Sequence, residues 1–200
     1  MKIEPCCGSS GSHPTSSVDS TKNASSNIKA GGTAAFTATG EAASGKGNVN
    51  IIGSNIDAKD VLLQANNQVN VLSSKDTEST RSDNESKGGS FGVSFGTSGW
   101  GVSASFSKSN GDANSDSTFQ NNSHINASNT AVIVSGGDTN IVGGNVNADK
   151  VIARVGGDLN IASVQDTSES SAHQESMGGG FSASMGGASG SFSYSRGIRI

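Results

Sequence analysis

Cysteine is confined to one adjacent pair, Cys6 and Cys7, and proline to Pro5 and Pro14. A chain with no cysteine past residue 7 has no disulfide framework across its body, and it neither requires nor forbids an oxidising compartment. The pair lacks the CxxC spacing or the histidine cluster that would hold zinc, so Cys6 and Cys7 read as incidental thiols. Large side chains are scarce too. Only 32% of the residues are hydrophobic and 4% aromatic, too little bulk for a wide globular core. Charge is sparse, at 15% of residues with a net charge of −4. That is not the profile of a disordered chain, because the apolar residues recur in pattern. The 13 Lys and Arg residues are dispersed and form no basic stripe for nucleic acid. No run of about 18 apolar residues offers a transmembrane helix, and no apolar segment precedes the cysteines as a signal peptide would.

What the sequence does contain is repetition. The stretch NVNIIGSNIDAKDVLLQANNQVNVLSSKDT (48–77) lies over DTNIVGGNVNADKVIARVGGDLNIASVQDT (138–167) without a gap, 90 residues on. The match extends to Ser105 over Ser195, with 19 identities in 58 positions, among them Asn50/Asn140, Gly53/Gly143, Asn70/Asn160, Asp76/Asp166 and Phe91/Phe181. A shorter period of twenty sits inside each copy: GNVNI returns as NQVNV, and GGDTNI as GGDLNI. Apolar–Asn–apolar alternation is the period-two mark of a strand with one buried face. Gly, Asn and Asp between the units supply turns. Coils of about 20 residues with short strands and polar corners predict a parallel β-helix, which needs only a thin strip of apolar side chains per coil. IKAGGTAAFTAT (28–39) and INASNTAVIVSGGD (125–138) read as further, degenerate coils. No helical periodicity fits any long window.

Each coil pair is followed by a polar stretch (73–87 and 163–176) and then by a Gly/Ser/aromatic segment. In the first, Phe91, Val93 and Phe95 alternate with small residues, and Trp100, Val102, Ala104 and Phe106 do so after a phase change at 96–99. A hairpin with a four-residue loop sets Phe95 against Trp100, Val93 against Val102 and Phe91 against Ala104. The same rule in the second copy, with a loop at 186–189, sets Ala183 against Phe192 and Phe181 against Tyr194. Two protruding hairpins with arms of about seven to ten residues therefore hold seven of the nine aromatics. Their apolar face, made by Phe91, Val93, Phe95, Trp100, Val102, Phe106, Phe181, Met185, Phe192 and Tyr194, is expected first to pack on the β-helix or on the next hairpin, and otherwise is the candidate contact surface for a partner or a membrane.

Other chemistry finds little support. His13, His124 and His173 are scattered among Ser and Asn and read as solvated surface. Serine is abundant, but no G-x-S-x-G elbow joins a strand to a helix. GGDTNIVGG has single acidic residues at a spacing of twenty, not the nine of calcium-binding repeats. GSFGVSFG has no following helix to cradle a phosphate. Asp76 and Asp166 recur at one place in both copies, which points to a structural turn. No catalysis, cofactor, metal or small-molecule substrate is expected.

The order IKAGGTAAFTATGE, GNVNIIGSNIDAKDVLLQANNQVNVLSSKDTESTRS and SKGGSFGVSFG resembles the haemagglutinin repeats of filamentous-haemagglutinin-type exoproteins, including the stalk proteins of contact-dependent growth inhibition. The resemblance covers about 24–197. It implies a Gram-negative two-partner-secretion protein at the cell surface, with a long β-helical shaft for adhesion and, in some members, a toxic C-terminal domain. Its partners would be neighbouring repeats, a host or target-cell surface and, in the growth-inhibition branch, the target cell's outer membrane. The expected organisation is a disordered segment at 1–23, a first repeat copy with its hairpin at 24–122 and a second copy with a truncated hairpin at 123–200. Lacking the family's secretion signal and any toxin module, the chain reads as an internal slice of a larger gene, and one not exported alone.

Overall fold

The computed structural model describes residues 6–97 and 99–200. It is built of strands: β1 (Cys6–Thr21), β2 (Asn27–Ala38), β3 (Val49–Ile52), β4 (Asn55–Ala65), β5 (Val69–Leu72), β6 (Ser74–Gly96), β7 (Gly99–Asn121), β8 (Ser123–Ser135), β9 (Thr139–Val142), β10 (Gly144–Asn147), β11 (Lys150–Val155), β12 (Leu159–Ala162), β13 (Thr167–Ser184) and β14 (Gly187–Arg199). A single 3₁₀ turn at Ala42–Ser44 is the only helical element among the described residues. The chain divides into two compact units, one of Ser20–Thr77 with Ser117–Thr167, the other of Met1–Asp19, Glu78–Asp116 and Ser168–Ile200. Each repeat copy contributes to both.

The first unit is a parallel β solenoid. One sheet runs β10-β8-β4-β2, with β11 also on β8, and the other runs β12-β9-β5-β3. Every pairing is parallel, and most inward pairs put apolar on apolar, with Thr139 as an exception. Val49 pairs with Val69, Val69 with Thr139 and Thr139 with Leu159. Ile28 pairs with Ile56, Ile56 with Ile125 and Ile125 with Val146. The register shifts between Ala58 and Asp60, so β4 runs as two straight segments against β8, matching the division between β10 and β11. Inward positions stack into columns. Ile56, Val61, Leu63, Val69, Val71, Ile125 and Ile133 are all but sealed from solvent. Each such burial contributes about 1.5–3 kcal/mol relative to an exposed side chain. The equivalents in the last coil have a neighbour on one side only, and Val151, Leu159 and Ile161 are 50%, 49% and 68% exposed.

Polar groups inside the unit are paired, as burial demands. Thr139, which interrupts a column of Val and Leu, shares a 2.8 Å hydrogen bond with Ser135, whose own hydroxyl lies 2.9 Å from the Gly137 carbonyl. Ser123 donates to the Leu72 carbonyl at 2.6 Å and accepts from the Ser54 N–H at 3.2 Å. On the outward side the asparagine of the apolar–Asn–apolar unit forms a ladder: Asn70 Nδ2 donates to Asn50 Oδ1 at 2.8 Å, and Asn140 Nδ2 to Asn70 Oδ1 at 2.9 Å. In-register stacking turns a repeated side chain into a chain of amide-to-amide hydrogen bonds.

The second unit is a five-stranded sheet in the order β1-β6-β7-β13-β14. Three expectations change here. Cys6–Thr21, expected as a disordered segment, is the edge strand β1. The hairpin arms are far longer than seven to ten residues: β6 and β7 have 23 each, because the polar stretches join the strands and the ladder satisfies their backbone whatever the side chains. The second hairpin does not copy the register of the first. It closes in a two-residue turn at Met185–Gly186, with Ser184 opposite Gly187, so Phe181 faces Gly190, Gly179 faces Phe192 and Met177 faces Tyr194. In the first hairpin β6 ends at Gly96 and β7 begins at Gly99, so the second turn falls two residues earlier in its copy. Gly187, which opens β14, has a φ of 142°, which glycine accepts.

Gly53 and Gly143 occupy matching corners with φ of 53° and 63°, and a Cβ on Gly53 would fall 2.6 Å from Ser74 Cβ. Gly53→Ala is expected to lower stability by about 1–3 kcal/mol in thermal or urea unfolding. Gly31→Ala, where a Cβ meets nothing within 4 Å, is expected to be near neutral.

Candidate functional site

Adjacent strands share faces, and the small residues reveal which. Ser90 Oγ and Ser105 Oγ are 2.7 Å apart, a Cβ on Gly92 would lie 3.0 Å from Ser103 Oγ, and one on Gly101 would lie 3.1 Å from Ser94 Oγ. One side of the first hairpin is therefore serine and glycine. Phe91, Val93, Phe95, Trp100, Val102 and Phe106, at the alternate positions, take the other side. This register sets Phe95 beside Trp100. The Phe106 ring lies over Gly179, 2.7 Å from where a Cβ would be, which carries the apolar side across to β13. Gly179 is opposite Phe192, and Ser182–Ser189 and Ser176–Ser195 hydroxyl pairs at 2.8 Å hold the small-residue side of β13 and β14. Nine of the ten candidate residues thus lie on four consecutive strands of one sheet, and the tenth, Met185, lies in the turn between β13 and β14. Met185, at the turn, packs on Gly99. Phe95, Trp100, Ser94, Ser184 and Met185 border an open cleft of about 510 Å³.

The face is not covered. Phe91, Phe95, Trp100, Phe106, Phe181, Met185, Phe192 and Tyr194 are each more than half exposed, and Val93 and Val102 are half-buried. Contiguous exposed apolar side chains make this side the candidate contact surface. Met177 joins them as the partner of Tyr194. It was absent from the expected face, whose register set Tyr194 opposite Phe181.

Charge begins where the apolar band ends. No charged residue falls in 88–107 or in 176–195, which gives four arms of nine uncharged residues. At the border Lys87 Nζ lies 2.7 Å and Lys108 Nζ 3.9 Å from Glu85 Oε1. Tyr194 Oη donates to Glu175 Oε1 at 2.7 Å, which raises the phenol above its ordinary pKa. His173 is partnered, not merely solvated: Nδ1 is 3.4 Å from Asp112 Oδ1, and Arg196 Nε donates to Nε2 at 3.3 Å. His124 Nδ1 meets Asn145 Nδ2 at 3.3 Å, and His13 is exposed. Further out Arg81 clasps both oxygens of Asp116 at 2.8 and 2.7 Å. Among the described residues no group of three or more His, Cys, Asp or Glu could hold a metal ion, and no helix is long and apolar enough to cross a membrane. Cys7 is an exposed free thiol, and the side chain of Cys6 lies outside the described residues.

The family model described as hemagglutinin repeat matches residues 7–179. A tRNA nuclease CdiA-2 of Burkholderia pseudomallei is 55% identical over 131 residues, 66% of this chain and 4% of that protein. A deoxyribonuclease CdiA of Dickeya dadantii is 34% identical over 151 residues, 73% of this chain and 4% of that protein. A deoxyribonuclease CdiA of Yersinia pseudotuberculosis is 35% identical over 180 residues, 88% of this chain and 17% of that protein. The chain thus spans a small part of the length of these relatives. No solved structure matches.

The hydrogen bond from Lys87 holds the Glu85 carboxyl below its usual range, and the one from Arg81 does the same for Asp116. A lowered carboxylate pKa contributes stability that is complete above the unfolded value, near 4, and lost as pH falls through the lower folded value. The sheet's unfolding midpoint is expected to hold between about pH 7 and 5 and to drop below about pH 4. Arg81→Ala should flatten the part of that drop that belongs to Asp116.

Proposed function

We propose, from the premise that this chain belongs to the haemagglutinin-repeat family, that it is a structural and adhesive segment of a large secreted bacterial exoprotein, without catalysis of its own. The solenoid is the shaft. Its columns of Ile, Val and Leu and its Asn ladder add coil on coil with little apolar mass per residue. The five-stranded sheet is the contact element. The observation that carries this reading is that eight of the ten side chains of the apolar face, seven of them aromatic, are more than half exposed on one side of the sheet, while the central columns of the solenoid are sealed from solvent. The partners are neighbouring repeats of the longer protein and the surface of another cell. The nuclease activities in the relatives' names belong to those whole proteins, of which this region corresponds to a small share.

A second reading is favoured by the uncharged band: a delivery segment that engages the outer membrane of a target cell, as in exoproteins of contact-dependent growth inhibition. Nine-residue arms reach about 30 Å at ~3.4 Å per residue, the thickness of a bilayer's hydrocarbon core. One apolar face and one small polar face is the pattern of a membrane-spanning strand. The charged and hydroxyl groups at the border, Glu85, Lys87, Lys108, Glu175 and Tyr194, stand where a lipid headgroup region would begin. Five strands do not close a barrel, so closure would draw strands from further repeat copies.

Trp100 is the single tryptophan, so its fluorescence reports on the face directly. Vesicles of outer-membrane lipid are expected to shift its emission to the blue and to co-sediment with the protein in the second reading, with Phe91→Ser plus Trp100→Ser abolishing co-sedimentation. If vesicles leave the emission unchanged while Phe91→Ser still weakens attachment to whole cells, the face is an adhesive surface for a cell-surface molecule. Cell attachment unaffected by Phe91→Ser and Phe192→Ser together would overturn both readings.

A further inference from the structure

Asp76 and Asp166, the recurring Asp-Thr aspartates, make the same unusual bond. Asp76 Oδ1 accepts the backbone N–H of Asn23 at 2.8 Å, and Asp166 Oδ1 accepts the backbone N–H of Gln120 at 2.7 Å. Asp76 is near the start of β6 and Asp166 immediately precedes β13, while Asn23 lies two residues past the end of β1 and Gln120 is next to last in β7. The accepting backbones also correspond. Asp19-Ser20-Thr21 precedes Asn23 as Asp116-Ser117-Thr118 precedes Gln120, and Ile28-Lys29-Ala30 follows the one as Ile125-Asn126-Ala127 follows the other. In this alignment β1 corresponds to β7, the return arm of a hairpin. The strand order agrees, since β1 lies beside β6 as β7 lies beside β13. Contacts agree as well: a Cβ on Gly8 would lie 3.7 Å from Ser90 Cβ, and one on Gly180, the equivalent of Ser90, would lie 3.9 Å from Ser105 Cβ, the equivalent of Gly8.

The sheet needs such a device. A strand that alternates small and apolar residues can slip by two and keep every side chain on its face, so its side chains specify register weakly. The two hairpins demonstrate the degeneracy. Their tips differ in register by four residues, yet both keep their rings on one side. The base does not vary, because a carboxylate on one particular N–H is a directional, charge-assisted bond with no equivalent two residues away. Asn23 Nδ2 reinforces the first of these bonds through the Lys75 carbonyl at 2.6 Å.

We propose that Asp76 and Asp166 are positioning residues that set the register between each outgoing arm and the return arm of the hairpin before it. It follows that β1 is such a return arm, and that the apolar face is assembled across repeat copies, not hairpin by hairpin. The proposal stands whether or not that face binds anything.

Disulfide trapping in the full chain, with Cys6→Ser and Cys7→Ser to remove native thiols, tests it. A Cβ on Gly101 falls 3.6 Å from Ser184 Cβ, within the range for a disulfide. Gly101→Cys with Ser184→Cys therefore reports the native register of β7 on β13, and Gly101→Cys with Ser182→Cys reports a slip of two. With Asp166 present only the native pair should cross-link. Asp166→Ala is expected to reduce the native cross-link several-fold, to raise the slipped one and to speed amide exchange at Gln120. Asp166→Asn, which keeps an acceptor oxygen, should retain most of the native cross-link even if the alanine variant folds poorly. Equal native cross-linking in the parent and Asp166→Ala would overturn the proposal, as would equal loss in the alanine and asparagine variants.

Discussion

Parallel stacking of like on like is the constraint from which the solenoid follows. A strand that pairs with its own equivalent one coil away brings Ile over Ile, Val over Val and Asn over Asn. Inside, this makes narrow columns that exclude water with one or two large side chains per strand. Outside, it makes amide ladders. A composition with only 32% hydrophobic residues suffices because no core wider than a column is built. The same constraint explains the exceptions. Where a column admits Thr139 or Ser123, a second hydroxyl or a carbonyl stands within hydrogen-bond reach. Where the last coil has a neighbour on one side only, the same inward positions lie open.

The sheet of long arms obeys a different logic. Its strands are antiparallel and its side chains divide into a wall of Gly and Ser and a face of rings. Neither side is buried, so its stability rests on the backbone ladder, cross-strand pairs and the ion pairs of its charged residues. Exposed ion pairs such as Arg81–Asp116 contribute little each. Their arrangement matters more than their strength, because they leave an uninterrupted uncharged band. A chain that uses aromatics so sparingly puts most of them where water still reaches them, and the proposed contact role rests on that placement.

Much of the solenoid was legible in the residues. The 90-residue duplication, the twenty-residue interval and the apolar–Asn–apolar units locate β3, β5, β9 and β12, and the Gly53/Gly143 identity marks a corner. The alternation from Phe91 to Phe106 fixes one side of the first hairpin. Three things were hidden. Residues 74–87 alternate in no apolar pattern, so nothing in them announces a strand, and the neighbouring arms alone hold them extended. Cys6–Thr21 carries no large apolar residue but Val18, so its role as an edge strand shows only through what it pairs with. The second hairpin turns two residues earlier in its copy than the first, a shift that keeps every ring on its face and so leaves no mark in the alternation. Asp76 and Asp166 were visible as a recurrence, but their partners are backbone N–H groups, which no side-chain pattern displays.

The in-register stack is tested most directly by a distance between residues far apart in sequence. Asn70 and Asn140 sit on adjacent coils, outward-facing, with seventy residues between them. Nitroxide labels at Asn70→Cys and Asn140→Cys, in a chain with Cys6 and Cys7 replaced by serine, should interact strongly, because neighbouring strands lie about 4.8 Å apart. The account predicts marked dipolar broadening of the spectrum for the double label and none for either single label. Double-label spectra equal to the sum of the singles would contradict it.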